Sequence, residues 1–164
     1  MIRSALILVA LLSAAVPASA LALLPNVEVS VGTSGSYAAD ELERDPTSIM
    51  VAPGVGLLPM LSFHVGLLTR PNADRGDDVD IDVRPMLTIK PPLFPLYARG
   101  IVAIPTVIDG TKRIDAGGAL GLKFGLFGVS IFSEVAYLAN VKEYGTTAVH
   151  PDWIVDGRIG LAFE

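Results

Sequence analysis

Val79-Asp80-Ile81-Asp82-Val83-Arg84-Pro85-Met86-Leu87-Thr88-Ile89-Lys90 decides the fold. Its odd positions read Val, Ile, Val, Pro, Leu, Ile, and its even ones Asp, Asp, Arg, Met, Thr, Lys. A strand sends successive side chains to opposite faces, so one face here is wholly apolar and the other polar at five of six positions. Wound as a helix, the same residues would scatter charge over every side. The stretch reads as a strand with two unlike faces.

The same alternation recurs on both sides of it. Val27, Val29 and Val31 alternate with Glu28, Ser30 and Gly32, and Phe63, Val65 and Leu67 with Ser62, His64 and Gly66. Leu96, Ala98, Val102 and Ile104 oppose Tyr97 and Arg99, while Ile114, Ala116, Leu120, Leu122 and Phe124 oppose Asp115, Gly117, Gly121 and Lys123. Val129, Ile131, Val135 and Tyr137 oppose Ser130 and Glu134. Trp153, Val155, Ile159, Leu161 and Phe163 oppose Asp152, Asp156, Arg158 and Gly160. Met50 to Leu58 is apolar and carries Pro53. Eight strands result, near 26–37, 49–58, 60–69, 79–90, 95–106, 114–124, 128–139 and 152–163.

The connections alternate as well. Ala38 to Thr47, Pro71 to Asp78, Asp109 to Arg113 and Asn140 to Pro151 are polar, whereas Pro59, Pro91 to Phe94 and Gly125-Leu126-Phe127 are tight and uncharged. Long external loops, short periplasmic turns and an even strand count are the plan of an antiparallel up-and-down transmembrane barrel.

Met1 to Ala22 has the layout of an export leader. Arg3 supplies a positive start, Ala5 to Ala15 an apolar run, and Ala18-Ser19-Ala20 and Ala20-Leu21-Ala22 two small-residue cleavage patterns. The run is about half the roughly 20 residues a spanning helix needs, so residues 1–22 are expected to be removed. The remaining segment, 23–164, is one domain by size. Loss of Arg3 leaves 11 of the 12 basic residues against 17 acidic ones, and an acidic chain without basic clusters excludes nucleic acid as a partner. With no cysteine there is neither a lipid-anchored thiol nor a disulfide frame. Metal-ligand spacing, a phosphate loop and a dinucleotide motif are absent, so no cofactor is expected.

Parity does not say which face is outside; a soluble eight-stranded barrel would bury the apolar row instead. Aromatics decide for the membrane: Trp153 and Phe163 end the apolar row of the last strand, and Tyr137 and Phe124 lie near other strand ends, as in the girdles of a membrane wall. The polar rows are rich in Ser30, Gly32, Gly66, Gly117, Ala119, Gly121, Ser130 and Gly160, which suits an interior barely wide enough for its own side chains.

With this pattern the chain resembles the small eight-stranded outer-membrane barrels, the group of the OmpA transmembrane domain, OmpX and OmpW, over roughly 24–164. Gly157-Arg158-Ile159-Gly160-Leu161-Ala162-Phe163-Glu164 is similar to that family's C-terminal assembly signal but ends in Glu164 rather than the aromatic. The resemblance implies outer-membrane lipid and the barrel-assembly machinery as partners, and a monomer.

Parity assigns the interior Glu28, His64, Arg84, Arg99, Glu134 and Arg158 as a charge network, with Lys90, Tyr97 and Lys123 beside it. Asp80, Asp82, Asp115 and Asp156 fall toward the loop end as an acidic mouth. Buried charge is tolerated only when paired, so the leading expectation is a plug of salt bridges, a structural or surface role and no enzymatic activity. A second reading makes Arg84, Arg158 and Glu134 the gate of a narrow channel for small or apolar solutes. A third makes the chain a lipid-modifying enzyme, with His150 or His64 as base and Ser34, Ser36 or Ser48 as nucleophile. Asp74, Asp77 and Asp78 offer carboxylates to a divalent cation, without a defined ligand loop. Pro53 and Pro85 fit no position in a closed ladder. Terminal sequencing of the exported protein checks the leader: the mature chain is expected to begin at Leu21 or Leu23.

Overall fold

The computed structural model describes residues 24–38, 41–44, 46–71, 81–91, 93–106, 112–144 and 152–164. The leader, Val79, Asp80, Asp74, Asp77, Asp78 and His150 lie outside them. The described strands are β1 (Leu24–Ala38), β2 (Glu41–Arg44), β3 (Ser48–Leu58), β4 (Leu61–Thr69), β5 (Ile81–Ile89), β6 (Leu96–Thr106), β7 (Lys112–Leu126), β8 (Val129–Tyr144) and β9 (Trp153–Phe163). From β3 to β9 each pairs antiparallel with the next, β1 pairs β3, and β1 also pairs β9 from Val27↔Phe163 to Tyr37↔Trp153. The sheet closes on itself. Eight strands make the wall, as the alternation predicts.

The short β2 prolongs the line of β3 along the edge of β1. Between Gly32↔Ser48 and Gly35↔Arg44 three steps on β1 are matched by four on its partner, a one-residue bulge that marks the outer rim. At the other end the connections are tight. Leu58 pairs Leu61, and Leu126 pairs Val129 across Phe127 and Gly128, whose φ values of 55° and 81° are those of a type I′ turn. The Lys90 N–H donates to Met60 O at 2.9 Å and the Glu164 N–H to Gly128 O at 2.9 Å, lacing this end together. β7 and β8 overshoot the opposite rim, where Lys112↔Tyr144 lies beyond the last β8–β9 pair, Ala139↔Trp153.

Wall polarity follows the parity. On β5, Asp82, Arg84, Met86 and Thr88 are buried while Ile81, Leu87 and Ile89 are 36, 44 and 52 % exposed. Val27, Val29 and Val31, Leu120 to Phe124 at alternate positions, and Ile159, Leu161 and Phe163 repeat that outward row. A continuous band of exposed aliphatics around a charged interior is stable only when the band faces hydrocarbon. Trp153 stacks on Tyr37 at 5.3 Å and on Tyr137 at 6.3 Å, one cluster of the girdle at the loop end. Phe124, Phe127 and Phe163 are exposed at the turn end.

The interior is not purely polar. Met50, Ala52, Leu68, Met86, Ile101, Ala103, Ala119, Ala136, Leu138 and Ile154 pack together inside. Met86, the single apolar residue on the polar row of the opening segment, belongs to this group.

Pro53 and Pro85 resolve as half-paired positions. Pro53 is registered to Val27 on β1, but the β3–β4 register passes from Val51↔Leu67 to Gly54↔His64 around it. Pro85 is registered to Val65 on β4, and the β5–β6 register passes from Val83↔Ile104 to Met86↔Ile101. Each proline lacks an N–H, and the ladder skips it on one side only.

At mid-strand on the outward row, Ile159→Arg is expected to destabilise the barrel by about 2–4 kcal/mol, read by denaturant unfolding in lipid vesicles. An unchanged midpoint would mean that Ile159 does not face hydrocarbon.

Candidate functional site: the charged lumen

Toward the turn end, Arg99 occupies the centre. β6 brings it inward beside Tyr97, two residues away and on the same face. Its guanidinium meets Glu28 Oε2 at 2.7 Å and Glu134 Oε2 at 3.1 Å, and its Nε donates to Thr88 Oγ1 at 2.9 Å. One cation therefore spans carboxylates from β1 and β8. Tyr97 donates its hydroxyl to Glu134 Oε2 at 2.8 Å, and the Arg99 guanidinium lies 5.2 Å from the Tyr97 ring centroid. The Phe132 ring centroid stands 6.0 Å away, so aromatic faces and carboxylates together replace the water that the cation gave up. Lys123 reaches Glu28 Oε1 at 3.3 Å and also pairs with Glu164. His64 Nε2 lies 3.8 Å from the same Glu28 oxygen.

Toward the loop end, Asp156 takes the central role with the sign reversed. Its Oδ2 accepts from Arg84 Nη1 at 2.7 Å and from Arg158 Nε at 2.9 Å. Arg158 continues to the hydroxyls of Ser30 and Ser48. Arg84 also reaches Asp82 Oδ2 at 3.4 Å, which Arg70 meets at 3.1 Å. Arg113 and Asp115, two apart on β7, pair at 2.7 Å. These contacts use the inward rows of β1, β3, β5, β7 and β9 together with Arg70 just past β4, and each joins residues that the sequence separates widely or places on one face at a spacing of two.

All the described members of the expected set, Glu28, His64, Arg84, Arg99, Glu134, Arg158, Asp82, Asp115 and Asp156, are buried on the inward face. Their grouping differs from the gate of the second reading. Glu134 is registered to Arg158 across β8–β9, yet its carboxylate turns to Tyr97 and Arg99, leaving Arg84 and Arg158 to Asp156. The triad Arg84–Arg158–Glu134 is thus divided between two clusters. Among the described residues of the expected acidic mouth, Asp82, Asp115 and Asp156 pair with Arg70, Arg84, Arg113 and Arg158, and Asp80 lies outside them. Parity places a side chain on a face but does not set its height or direction along the axis, and these decide who meets whom.

Sequence reasoning missed Arg70, Thr88 and Arg113 as contributors, and it named Ser30 only as a small interior residue and Ser48 only as a candidate nucleophile. Ser30 and Thr88 share the inward parity of Glu28 and Arg84, which is the signal that finds them. Small residues make the room: a Cβ on Gly121 would overlap the Tyr97 ring, and one on Gly66 would sit 2.9 Å from Met50 Sδ and 3.2 Å from Met86 Cε. Below the Arg99 cluster a vestibule of about 330 Å³ opens at the turn end, lined by Asn26, Glu28, Lys90, Arg99, Lys123 and Glu164 among others. Among the described residues no group of His, Cys, Asp or Glu is arranged to hold a metal ion.

Removing one member of a buried pair strands the other. Arg99→Met, which leaves Glu28 and Glu134 without their shared cation, is expected to cost about 3–5 kcal/mol. Glu164→Gln, at the exposed end of the same chain of charges, should cost less than about 1 kcal/mol. Urea unfolding of the two variants side by side checks the ordering, and equal losses would show that Arg99 is not the shared partner.

No family model matches the chain, and no curated protein matches it. Among solved structures it is similar to Neisserial surface protein A, with a TM-score of 0.62 at 14 % identity, over 85 % of this chain and 96 % of that one. A de novo designed transmembrane β-barrel aligns at a TM-score of 0.49 and 14 % identity, over 84 and 93 % of the two chains. A major outer membrane protein from Thermus thermophilus aligns at 0.43 and 12 %, over 84 and 98 %. The first of these likenesses shows that the chain has the fold of a small outer-membrane β-barrel.

Proposed function

We propose, from the premise that this chain has the fold of the small outer-membrane barrels, that it is a non-conducting wall protein of a diderm outer membrane with a structural or surface role. The observation that carries this reading is the Glu28–Arg99–Glu134 bridge. Arg99 is 3 % exposed and joins β1, β6 and β8 across the interior. A permeating solute entering from the vestibule would have to part a cation from two carboxylates in a low-dielectric interior, then pass the packed Met50, Met86 and Ile101, then part Arg84 and Arg158 from Asp156. Breaking buried pairs of this kind costs several kcal/mol each. The loops then carry whatever contact the protein makes outside the cell.

Two geometric facts weigh against the enzymatic alternative. His64 is 1 % exposed inside the barrel, on the far side of the wall from any acyl chain, and its ring nitrogens have no hydrogen-bond partner among the described side chains. Ser48 and Ser30 accept from Arg158, which holds those hydroxyls in the salt-bridge cluster. The C-terminal strand suits delivery by the barrel-assembly machinery, with Phe163 outward and Glu164 drawn to Lys123. A monomer in outer-membrane lipid completes the reading.

Planar-bilayer recording tests it. The wild-type protein is expected to insert silently, while Arg99→Ala combined with Glu28→Ala and Glu134→Ala should give flickering leak. Well-resolved unitary openings of the wild type would replace the closed barrel with the narrow channel.

A further inference from the structure

The outward wall is dented along the β1–β9 seam, and the position of this dent says what fills it. Along the β1–β9 seam the outward rows are Val27 with Phe163, Val29 with Leu161 and Val31 with Ile159, all bulky. The next two rows are Thr33 with Gly157 and Gly35 with Val155; then Tyr37 and Trp153 close the series with their stacked rings. Two glycines and a threonine therefore interrupt the bulky rows of this seam just beneath the aromatic cluster. The result is a concavity of about 440 Å³ lined by Thr33, Gly35, Val135, Val155, Gly157 and Arg44. It is open at its floor: a Cβ on Gly157 would meet nothing nearer than Thr33 O at 3.9 Å.

Arg44 belongs to β2, which lies against β1 beyond the bulge. It is registered to Gly35, on the outward row, and it is exposed. Its acidic neighbours Glu41 and Glu43 are registered to Ala38 and Ser36, the opposite parity. One cation thus stands at the outer lip of an apolar furrow, at the level of the aromatic rings. Arginine at such a level keeps its charge in the headgroup layer and binds phosphate through a planar fork.

We infer that this dent holds one phosphate-bearing acylated lipid of the leaflet at the loop end, an acyl chain lying over Gly157 and Thr33 and the phosphate on Arg44. A free phosphate has no use for the apolar floor, and a neutral lipid has none for the arginine. The inference rests on the membrane seating proposed above. The Tyr37–Trp153–Tyr137 cluster fixes the height at which the two features meet, since aromatic girdles sit at headgroup level.

Native mass spectrometry of the full barrel, released gently from detergent with lipid A or with enzymatically dephosphorylated lipid A added, tests it. Unheated gel mobility of every sample reports whether the barrel is folded, so failure of the membrane seating is distinguished from failure of the lipid site. The wild type is expected to retain one lipid A in preference to the dephosphorylated form. Arg44→Gln should lower that retention about fivefold, the size expected for one basic group at a membrane surface, and Gly157→Leu should abolish it by filling the furrow. Val135→Trp fills it from the rim and serves where Gly157→Leu does not fold. Equal retention of both lipids, or unchanged retention in Arg44→Gln, overturns the proposal. So does a cross-linked dimer of the wild type that Gly157→Leu abolishes, which would make the furrow an interface between two copies.

Discussion

A strand laid in hydrocarbon has no water to satisfy its edge, so the pairing of β1 with β9 is the constraint from which the rest of this structure follows. That seam runs from Val27↔Phe163 to Tyr37↔Trp153. Without it the sheet would present two bare edges to lipid, each unsatisfied backbone group costing several kcal/mol. With it, eight strands curl into an enclosure so narrow that every inward side chain must find its partner among the others. The charged residues of the polar rows have no solvent to retreat to. They are satisfied across the lumen or not at all.

This explains the economy of the interior. Arg99 takes two carboxylates, Asp156 takes two guanidiniums, and the hydroxyls of Ser30, Ser48 and Thr88 accept further donors of Arg158 and Arg99. Arginine suits this work better than lysine because its fixed fork of donors can face two acids at once. Gly66 and Gly121 are small for the complementary reason, since Met50, Met86 and Tyr97 occupy the space their side chains would need. Charge pairing, aromatic faces and small residues are three answers to one shortage of room.

Strand number, wall polarity and the placement of the long and short connections were legible in the sequence, because each is written in a period of two that burial on one side enforces. Val79 to Lys90 carries that period almost without fault, and Met86, its one irregularity, marks the apolar layer inside the barrel. Two things were not legible. The partners within the lumen depend on strand tilt and stagger, which bring Arg99 of β6 to Glu28 of β1 and turn Glu134 away from the Arg158 it is registered to. The second was the short β2, whose Glu41-Leu42-Glu43-Arg44 reads as a charged loop and becomes a strand only because β1 runs past the end of β3 and offers it an edge.

The two prolines have a consequence for how the wall gives way. Pro53 opens a gap between β3 and β4, and Pro85 opens one between β5 and β6, while the β4–β5 register is continuous from Leu61↔Ile89 to Thr69↔Ile81. The β4–β5 pair is thus a panel whose two long sides are its weakest stitching. Amide protons along those two borders would trade with solvent deuterium sooner than those between β7 and β8, and thermal loosening would begin by swinging this panel as one piece.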